Sequence, residues 1–288
     1  MMSDLILTAS GLLALCAAAI SDIRTREVPD WISYGLIVTG FSVRIFHAIA
    51  YAEADYVIKG MIGFVVMFVF GNIMFYTRQW GGGDAKLMMG MGVVFATRPS
   101  YLPFHNLPFL LIVVINVFII GAIYGIVYGI VLAVKNKKRF IEYARRYNRE
   151  RKTTALKITA LMLAGGAVII TASLPLEAGQ KFMIGSLALL MLIYPYLAIF
   201  IKAVERGCLI KEVPAKKLTP GDWVEQDVYK KGKLVYKKNY LGIEKRDIQR
   251  LVRAKVGRVV VKEGIPFIPP FFIGAALAAL TGKILFLV

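Results

Sequence analysis

Two acidic side chains lie next to long apolar stretches of this chain. Asp22 follows the apolar run that ends at Ile20, and Asp84 follows the glycines Gly81-Gly82-Gly83. Because a carboxylate close to a bilayer is costly to bury, such residues usually have a function. Two carboxylates that share one proton supply a general base for water and a general acid for a leaving group. The pattern therefore suggests a carboxylate dyad, which could hydrolyse a bond such as a peptide bond, with Asp22 and Asp84 as catalytic candidates.

The residues around Asp84 suggest how such a pair would receive a substrate. Gly81 and Gly83 permit positive φ and would let a substrate backbone pass close to Asp84 without a side chain in the way. Asp84 is predicted to cap a helix that begins near Ala85. Lys86 is a candidate for orienting or electrostatically biasing Asp84, although a lysine here is also typical of a membrane-surface anchor. The alternative is that Asp84 only caps its helix and that no chemistry follows.

Hydrophobicity indicates what kind of protein must position these residues. Of the 288 residues, 58% are hydrophobic, and the mean hydropathy is +0.64, which excludes an ordinary soluble domain. We expect an all-α polytopic membrane protein with about six to eight transmembrane helices. The long apolar runs lie near residues 4–20, 31–50, 57–76, 108–134, 156–174, 181–203 and 266–288, and a shorter run covers 85–97.

Positive charge is concentrated in two segments, and Lys and Arg favour cytoplasmic loops. Residues 135–157 hold ten basic and two acidic side chains, and residues 204–263 hold sixteen and eight. With eight spans, the loops of Asp22 and Asp84 would then also face the cytoplasm. This bias accounts for the net charge of +18, so nucleic-acid binding is not expected. The 135–157 segment is expected to lie on anionic lipid head groups or to be a solvated anchor.

Three parts are predicted along the chain. Residues 1–203 form a transmembrane helical domain with a basic cytoplasmic loop near 135–157, residues 204–263 form a small cytoplasmic α/β module, and residues 264–288 form a last transmembrane helix. Within the module, alternating apolar residues predict strands joined by a hairpin turn at Gly232, followed by a short helix and a final strand.

Metal and cofactor sites are not indicated. The two cysteines, Cys16 and Cys208, cannot form a Cys-x-x-Cys site, and the two histidines form no His-Glu-x-x-His pattern. A zinc metalloprotease is therefore not expected, and no organic cofactor is implied.

The two aspartates are embedded in motifs that resemble a known family. Asp22 followed by Pro29 and Ile32-Ser33, with the later stretch 81–87 (Gly-Gly-Gly-Asp-Ala-Lys-Leu), resembles the type IV prepilin peptidases. It is most similar to their archaeal preflagellin (prearchaellin) and prepilin peptidase branch. The resemblance covers about the first hundred residues by motif, and it extends to residues 221–223 and 263–269.

This resemblance implies an integral-membrane aspartyl endopeptidase in which Asp22 and Asp84 are catalytic. Its substrates would be type IV pilin-like or archaellin precursors with a short basic leader, cut at the cytoplasmic face of the cell membrane. Glu27 and Asp30 are candidates for attracting the leader's Lys or Arg, and surface solvation is the alternative. The paired Cys-x-x-Cys motifs of the methylating bacterial branch are absent from this sequence, so methylation is not expected.

Two other function classes remain open on the sequence. Presenilin and signal-peptide-peptidase-like proteases share Gly-x-Gly-Asp, but they pair it with Tyr-Asp and Pro-Ala-Leu. Here Ser21 precedes Asp22, and Pro-Ala-Leu does not occur. An ion-coupled transporter would also place carboxylates in membrane helices, but more naturally near mid-bilayer than at helix ends.

Overall fold

A computed structural model of the chain describes residues 1–77, 79–239 and 242–286. Within these residues the backbone forms ten α-helices and five short strands. The chain divides into two compact units: Met1–Val127 with Ile265–Val288, and Tyr128–Gly264. The predicted fold class, helical with a small strand-containing module, is confirmed.

Six helices of the described chain are long and apolar enough to cross a membrane. In a helix every interior backbone group finds its partner within the segment, which hydrocarbon surroundings require. The chain is therefore a multi-pass membrane protein. The candidate spans are α1 (Met2–Thr25), α2 (Asp30–Tyr51), α3 (Ala54–Tyr76), α5 (Phe109–Lys135), α7 (Arg151–Ser173) and α8 (Ala178–Cys208).

Two further predicted spans are helices, but they are short. Helix α4 (Gly82–Val94) has 13 residues, and α10 (Ile268–Thr281) has 14. At about 1.5 Å per residue each is about 20 Å long, less than the hydrocarbon core of about 30 Å. Six of the eight expected spans are therefore helices long enough to cross a membrane. The orientation derived from eight spans stays a prediction.

Most of helix α4 is buried inside the first unit. It packs against α2 and α3, and eight of its thirteen residues are buried. Glycines permit the close approach: a Cβ added at Gly92 would lie 2.3 Å from the carbonyl oxygen of Gly63 on α3, and one at Gly90 would lie 2.9 Å from Leu36 on α2. Small residues at such contacts are typical of helices packed in membranes.

A buried arginine closes the C-terminal end of α4. Arg44 of α2 is completely buried. Its Nε donates to the carbonyl of Val93 at 2.8 Å, and its Nη2 donates to the carbonyl of Val94 at 3.3 Å and to Thr97 Oγ1 at 3.2 Å. Its Nη1 donates to the carbonyl of Tyr56 at 2.8 Å. A cation at a helix C-terminus also interacts favourably with the negative end of the helix dipole.

Helix α10 is packed into the same unit. It contacts α1, and a Cβ added at Gly274 would lie 2.6 Å from the backbone nitrogen of Val117 on α5. Phe271, Ala275 and Ala278 are fully buried in the shared apolar core. The last helix is therefore fastened to the first by close packing.

The second unit contains the pair α7 and α8 and a helix within the predicted loop. This helix, α6 (Lys137–Asn148), packs against α8 through Phe140 and Phe200, whose ring centroids are 5.8 Å apart. No residue of α6 is fully buried. The basic segment 135–157, predicted as a loop, is therefore largely helical.

The rest of the second unit is the small α/β module. Strand β5 (Arg258–Lys262) pairs antiparallel with β1 (Ile210–Pro214) and β2 (Trp223–Val224), in the order β1-β5-β2. The predicted hairpin is confirmed as β3 (Val228–Lys230) and β4 (Lys233–Tyr236), with Gly232 at φ 75° in the turn. The predicted helix is α9 (Lys245–Arg253). Strand β1 was not predicted.

Candidate active site

Asp22 lies in the last turns of α1 and faces the start of α10. Its side chain is only 6% exposed. Its Oδ2 accepts a hydrogen bond from the backbone N–H of Ile268 at 2.9 Å, and the N–H of Phe267 interacts with the same carboxylate. Helix α1 continues beyond the apolar run and ends at Thr25, so Asp22 is a buried helical residue.

The chain between α1 and α2 is tied down beside Asp22. Arg26 adopts the left-handed conformation at φ 58°, and its N–H donates to the carbonyl of Asp22 at 2.8 Å. The hydroxyl of Ser21 donates to the carbonyl of Glu27 at 2.9 Å, and Thr25 Oγ1 donates to it at 3.3 Å. These bonds hold the short connection against the end of α1.

Asp84 holds the N-terminus of α4, but not as the predicted N-cap. Helix α4 begins at Gly82 with Gly81 as its N-cap, so Asp84 is the third helical residue. Its Oδ2 accepts the N–H of Gly81 at 3.0 Å, which is the reach-back bond of a capping box. The prediction of a helix starting near Ala85 was therefore wrong by one turn.

Neither Gly81 nor Gly83 uses the positive φ that glycine permits. Gly81 has φ −74°, and Gly83 lies inside the first turn of α4, where helical geometry requires negative φ. The reason for glycine at position 83 is instead close packing, because a Cβ there would lie 3.1 Å from the Cβ of Val28. Gly83 thereby lets α4 approach the connection beside Asp22.

The two aspartates are brought together by this arrangement. Asp84 is half-buried and belongs to α4, which is outside the six candidate spans. The pKa of Asp84 is raised to about 6, mainly by burial; the Gly81 hydrogen bond opposes the rise, and the negative charge of Asp22 adds a smaller contribution to it. The charge of Asp22 thus acts on the protonation of Asp84, as expected for two neighbouring carboxylates.

The other candidate residues have different surroundings. The ammonium of Lys86 lies 2.7 Å from Oδ1 of Asp30 and 5.4 Å from the ring centroid of Tyr34. Asp30 is thus partly neutralised within the protein, and Lys86 pairs with it across α2 and α4. Glu27 is exposed on the connection between α1 and α2. Roles of Lys86, Glu27 and Asp30 in the reaction stay predictions.

Aromatic residues beside the site were not predicted. Trp80, directly before the glycines, is 6% exposed, and its ring lies 5.3 Å from that of Phe271 and 5.6 Å from that of Phe70. It also stacks on Phe118 at 6.0 Å. The position of Trp80 next to the glycines was a possible signal, whereas nothing local links Phe267 and Ile268 to Asp22.

Metal ligands do not gather in this region. Among the described residues, no group of three or more His, Cys, Asp or Glu side chains is placed to hold a metal ion. Hydrogen-bond donors surround the carboxylates instead.

Fold and site together define a multi-pass helical membrane protein with two interacting carboxylates at the ends of packed helices. Comparison with known proteins shows which sequence family part of the chain is similar to. Residues 9–126 match the sequence model of the type IV leader peptidase family. The matched segment contains both Asp22 and Asp84, and the resemblance seen in the motifs is thereby confirmed for this part of the chain.

Three curated archaeal relatives, each named a preflagellin peptidase, are similar to this chain. The protein of Methanococcus voltae is 29% identical over 182 residues, which cover 62% of this chain and 72% of that protein. The protein of Methanocaldococcus jannaschii is 39% identical over 33% of this chain and 40% of its own length. The protein of Methanococcus maripaludis is 36% identical over 29% of this chain and 36% of its own length. Two of the three alignments thus span well under half of the relative's length.

Proposed function

We propose that this protein is a membrane aspartyl endopeptidase that removes the short basic leader from prepilin or preflagellin (prearchaellin) precursors at the cytoplasmic membrane face. The observation that carries the proposal is the pKa of Asp84, which is raised to about 6 mainly by burial and to a smaller extent by the negative charge of Asp22. Both residues lie in the segment that matches a peptidase family. A carboxyl group with a raised pKa is suited to proton transfer near neutral pH.

In this proposal the two carboxylates divide one reaction. The ionised member takes a proton from a bound water, which attacks the carbonyl carbon of the scissile bond. The protonated member gives its proton to the leaving nitrogen as the C–N bond breaks. Mutual repulsion of two nearby carboxylates is what keeps one of them protonated.

The entrance to the pair is open where a substrate backbone would pass. A Cβ added at Gly81 would meet nothing closer than Oδ2 of Asp84 at 3.6 Å, and one at Gly82 would lie 3.7 Å from Phe75. A precursor with a basic leader in water and an apolar helix in lipid would present its junction here. Glu27, which is exposed, and Asp30, which is paired with Lys86, are proposed to attract the leader.

Contact with anionic lipid head groups is proposed for α6. Lys138, Arg145, Arg146 and Arg149 line one exposed groove of this helix, with Glu142 as the acidic member. Basic side chains beside membrane helices attract anionic lipid.

The proposal is tested by cleavage of a precursor in a purified, detergent-solubilised assay, with products identified by mass spectrometry. We expect Asp22→Asn and Asp84→Asn each to lower turnover by at least about 100-fold, because one carboxylate cannot hold both proton states. Asp55→Asn, at an exposed aspartate that pairs with Lys59 on α3, is the matched control and should have a mild effect.

Near-wild-type turnover of either catalytic variant would remove that aspartate from the proposed pair. Product masses should show one cut between the leader and the apolar helix. Cuts within the apolar helix would instead favour a presenilin-like protease, and loss of activity that zinc restores after chelation would contradict an aspartyl mechanism.

A further inference from the structure

The free backbone N–H groups at the start of α10 act on Asp22. The first four residues of a helix, from the N-cap onwards, have no acceptor within the helix. In α10 these are Phe267, Ile268, Pro269 and Pro270, and the two prolines have no N–H. The remaining two N–H groups, those of Phe267 and Ile268, both act on the Asp22 carboxylate.

The two backbone N–H groups favour the charged form of the Asp22 carboxylate, whereas its burial acts in the opposite direction. An ionised carboxylate only accepts hydrogen bonds, whereas a protonated one has an O–H that must find an acceptor. Backbone N–H groups are donors, and the N-terminus of a helix carries partial positive charge. Ile268 is fully buried and Asp22 nearly so, so bulk water does not replace these donors.

Asp84 has a different set of partners. It accepts one hydrogen bond, from Gly81 to Oδ2. Across residues 1–77, 79–239 and 242–286, no hydrogen bond to its Oδ1 is formed. That oxygen is therefore able to carry a proton, which agrees with the pKa of about 6 that burial and the charge of Asp22 give to Asp84.

The charged groups around the two aspartates do not reverse this difference in hydrogen bonding between Asp22 and Asp84. Arg26, directly after α1, is the cation that acts on Asp22, and the charge of Asp22 acts in turn on Asp84 of α4. Lys86, also on α4, is paired with Asp30 of α2. The segment of α10 next to Asp22 contributes only backbone N–H groups and apolar or proline side chains.

We infer that the backbone amides of Phe267 and Ile268 hold Asp22 as the ionised member of the pair, so that Asp22 is the general base and Asp84 the general acid. This inference rests on the proposed peptidase function. Asp22 takes one proton from water, whose oxygen bonds to the carbonyl carbon, and the Asp84 proton goes to the leaving nitrogen. Transfer of a proton from Asp22 back to Asp84 then restores the starting state.

Phe267 and Ile268 are positioning residues in this scheme. Both residues lie outside the 9–126 segment that matches the peptidase family. Ile268 is 246 residues further along the chain than Asp22. The C-terminal helix is thus a part of the catalytic arrangement.

The test compares Ile268→Pro with Ile268→Ala in the full-length protein. Both variants shorten a buried side chain, but only proline removes the N–H that binds Asp22. Proline is tolerated at the first position of a helix. The measurement is the pH dependence of kcat/KM for leader removal, whose acidic limb reports the base and whose alkaline limb reports the acid.

We expect the acidic limb of Ile268→Pro to move to higher pH by about one unit relative to Ile268→Ala, with the alkaline limb in place. A merely structural role would lower the rate without moving one limb selectively. Movement of the alkaline limb instead, or identical profiles for the two variants, would overturn the inference and leave the peptidase function intact. A wild-type protein that cleaves at no pH would overturn the proposed function itself.

Infrared spectroscopy provides a second measurement that does not need an active Ile268→Pro variant. At a pH near 5, the absorption band of a protonated buried carboxyl should be present in the wild type and in Asp22→Asn and absent from Asp84→Asn. A band that disappears in Asp22→Asn and persists in Asp84→Asn would assign the roles in the opposite order and overturn the inference.

Discussion

The two ends of α4 differ in how completely they are packed and hydrogen-bonded. At the C-terminal end, Arg44 uses its donors on backbone carbonyls and Thr97, and the backbone of Gly92 lies directly against that of Gly63. At the N-terminal end, among residues 1–77, 79–239 and 242–286, the nearest atom to a Cβ added at Gly81 is 3.6 Å away, and Asp84 accepts one hydrogen bond.

This difference separates structural roles from chemical ones. A buried arginine whose donors are satisfied contributes to stability and leaves nothing for a substrate to bind. A half-buried carboxyl with an oxygen to spare is costly for stability and available for chemistry. The rigid end of α4 holds the reactive end in place, as precise positioning of a catalytic group requires.

The largest effect on stability is expected from removing the buried arginine at the C-terminal end of α4. Arg44→Met should lower the free energy of unfolding by about 3–5 kcal/mol, because carbonyls of Tyr56, Val93 and Val94 lose their partner in a buried site. The thermal midpoint of the detergent-solubilised protein measures this loss. Lys59→Met is the matched control, since Lys59 forms an exposed i,i+4 pair with Asp55. Equal midpoints for the two variants would contradict the structural role of Arg44.

A smaller loss is expected from a single added methyl group in α4. Gly92→Ala would place Cβ 2.3 Å from a backbone oxygen and should cost about 2–3 kcal/mol, because the backbone cannot move aside easily. Gly82→Ala, in the same helix, would meet nothing closer than 3.7 Å and should be close to neutral. Urea or thermal unfolding of both variants checks this. If Gly82→Ala were the more damaging one, the comparison of the two ends would be reversed.

The reactive end should reveal itself in the pH dependence of stability. The pKa of Asp84 rises from 3.8 to about 6 on folding, so the native state binds more protons than the unfolded state between these values. Stability contributed by the protonated group is therefore present below about pH 4 and is lost as the pH rises through 6. At pH 7, Asp84→Asn should be more stable than the wild type by about 1–3 kcal/mol.

Thermal midpoints of the wild type and Asp84→Asn, measured from pH 4 to pH 7, test this sign. Only the difference between the two proteins is informative, because other carboxylates titrate in the same range. A difference that does not change with pH would mean that Asp84 is not perturbed by its surroundings.

The smallest effect is expected for the exposed pair near the reactive end. Lys86→Gln and Asp30→Asn should each change stability by less than about 1 kcal/mol, since surface ion pairs are weak. A double-mutant cycle with both changes measures their coupling. If Lys86 acts on Asp84 as the motif suggests, Lys86→Gln alone should shift the pH profile of cleavage, and Asp30→Asn should shift it less.

Local patterns in the sequence were sufficient for much of the fold. Long apolar runs predicted the six candidate spans, because a helix in lipid must be apolar along its whole length. Alternating residues around Gly232 predicted the hairpin β3–β4, because positive φ in a tight turn favours glycine. The two aspartates were found because charge is rare beside membrane helices.

What the tertiary structure decided depends on contacts between distant parts of the chain. The apolar character of residues 85–97 gave no sign that α4 is buried by α1, α2 and α3 and held by Arg44, since lipid and protein are equally apolar surroundings. Negative φ at Gly81 and Gly83 followed from the start of α4 and from packing on Val28. The amides of α10 reach Asp22 only because the first and last helices pack together, and no local pattern records a contact across 246 residues.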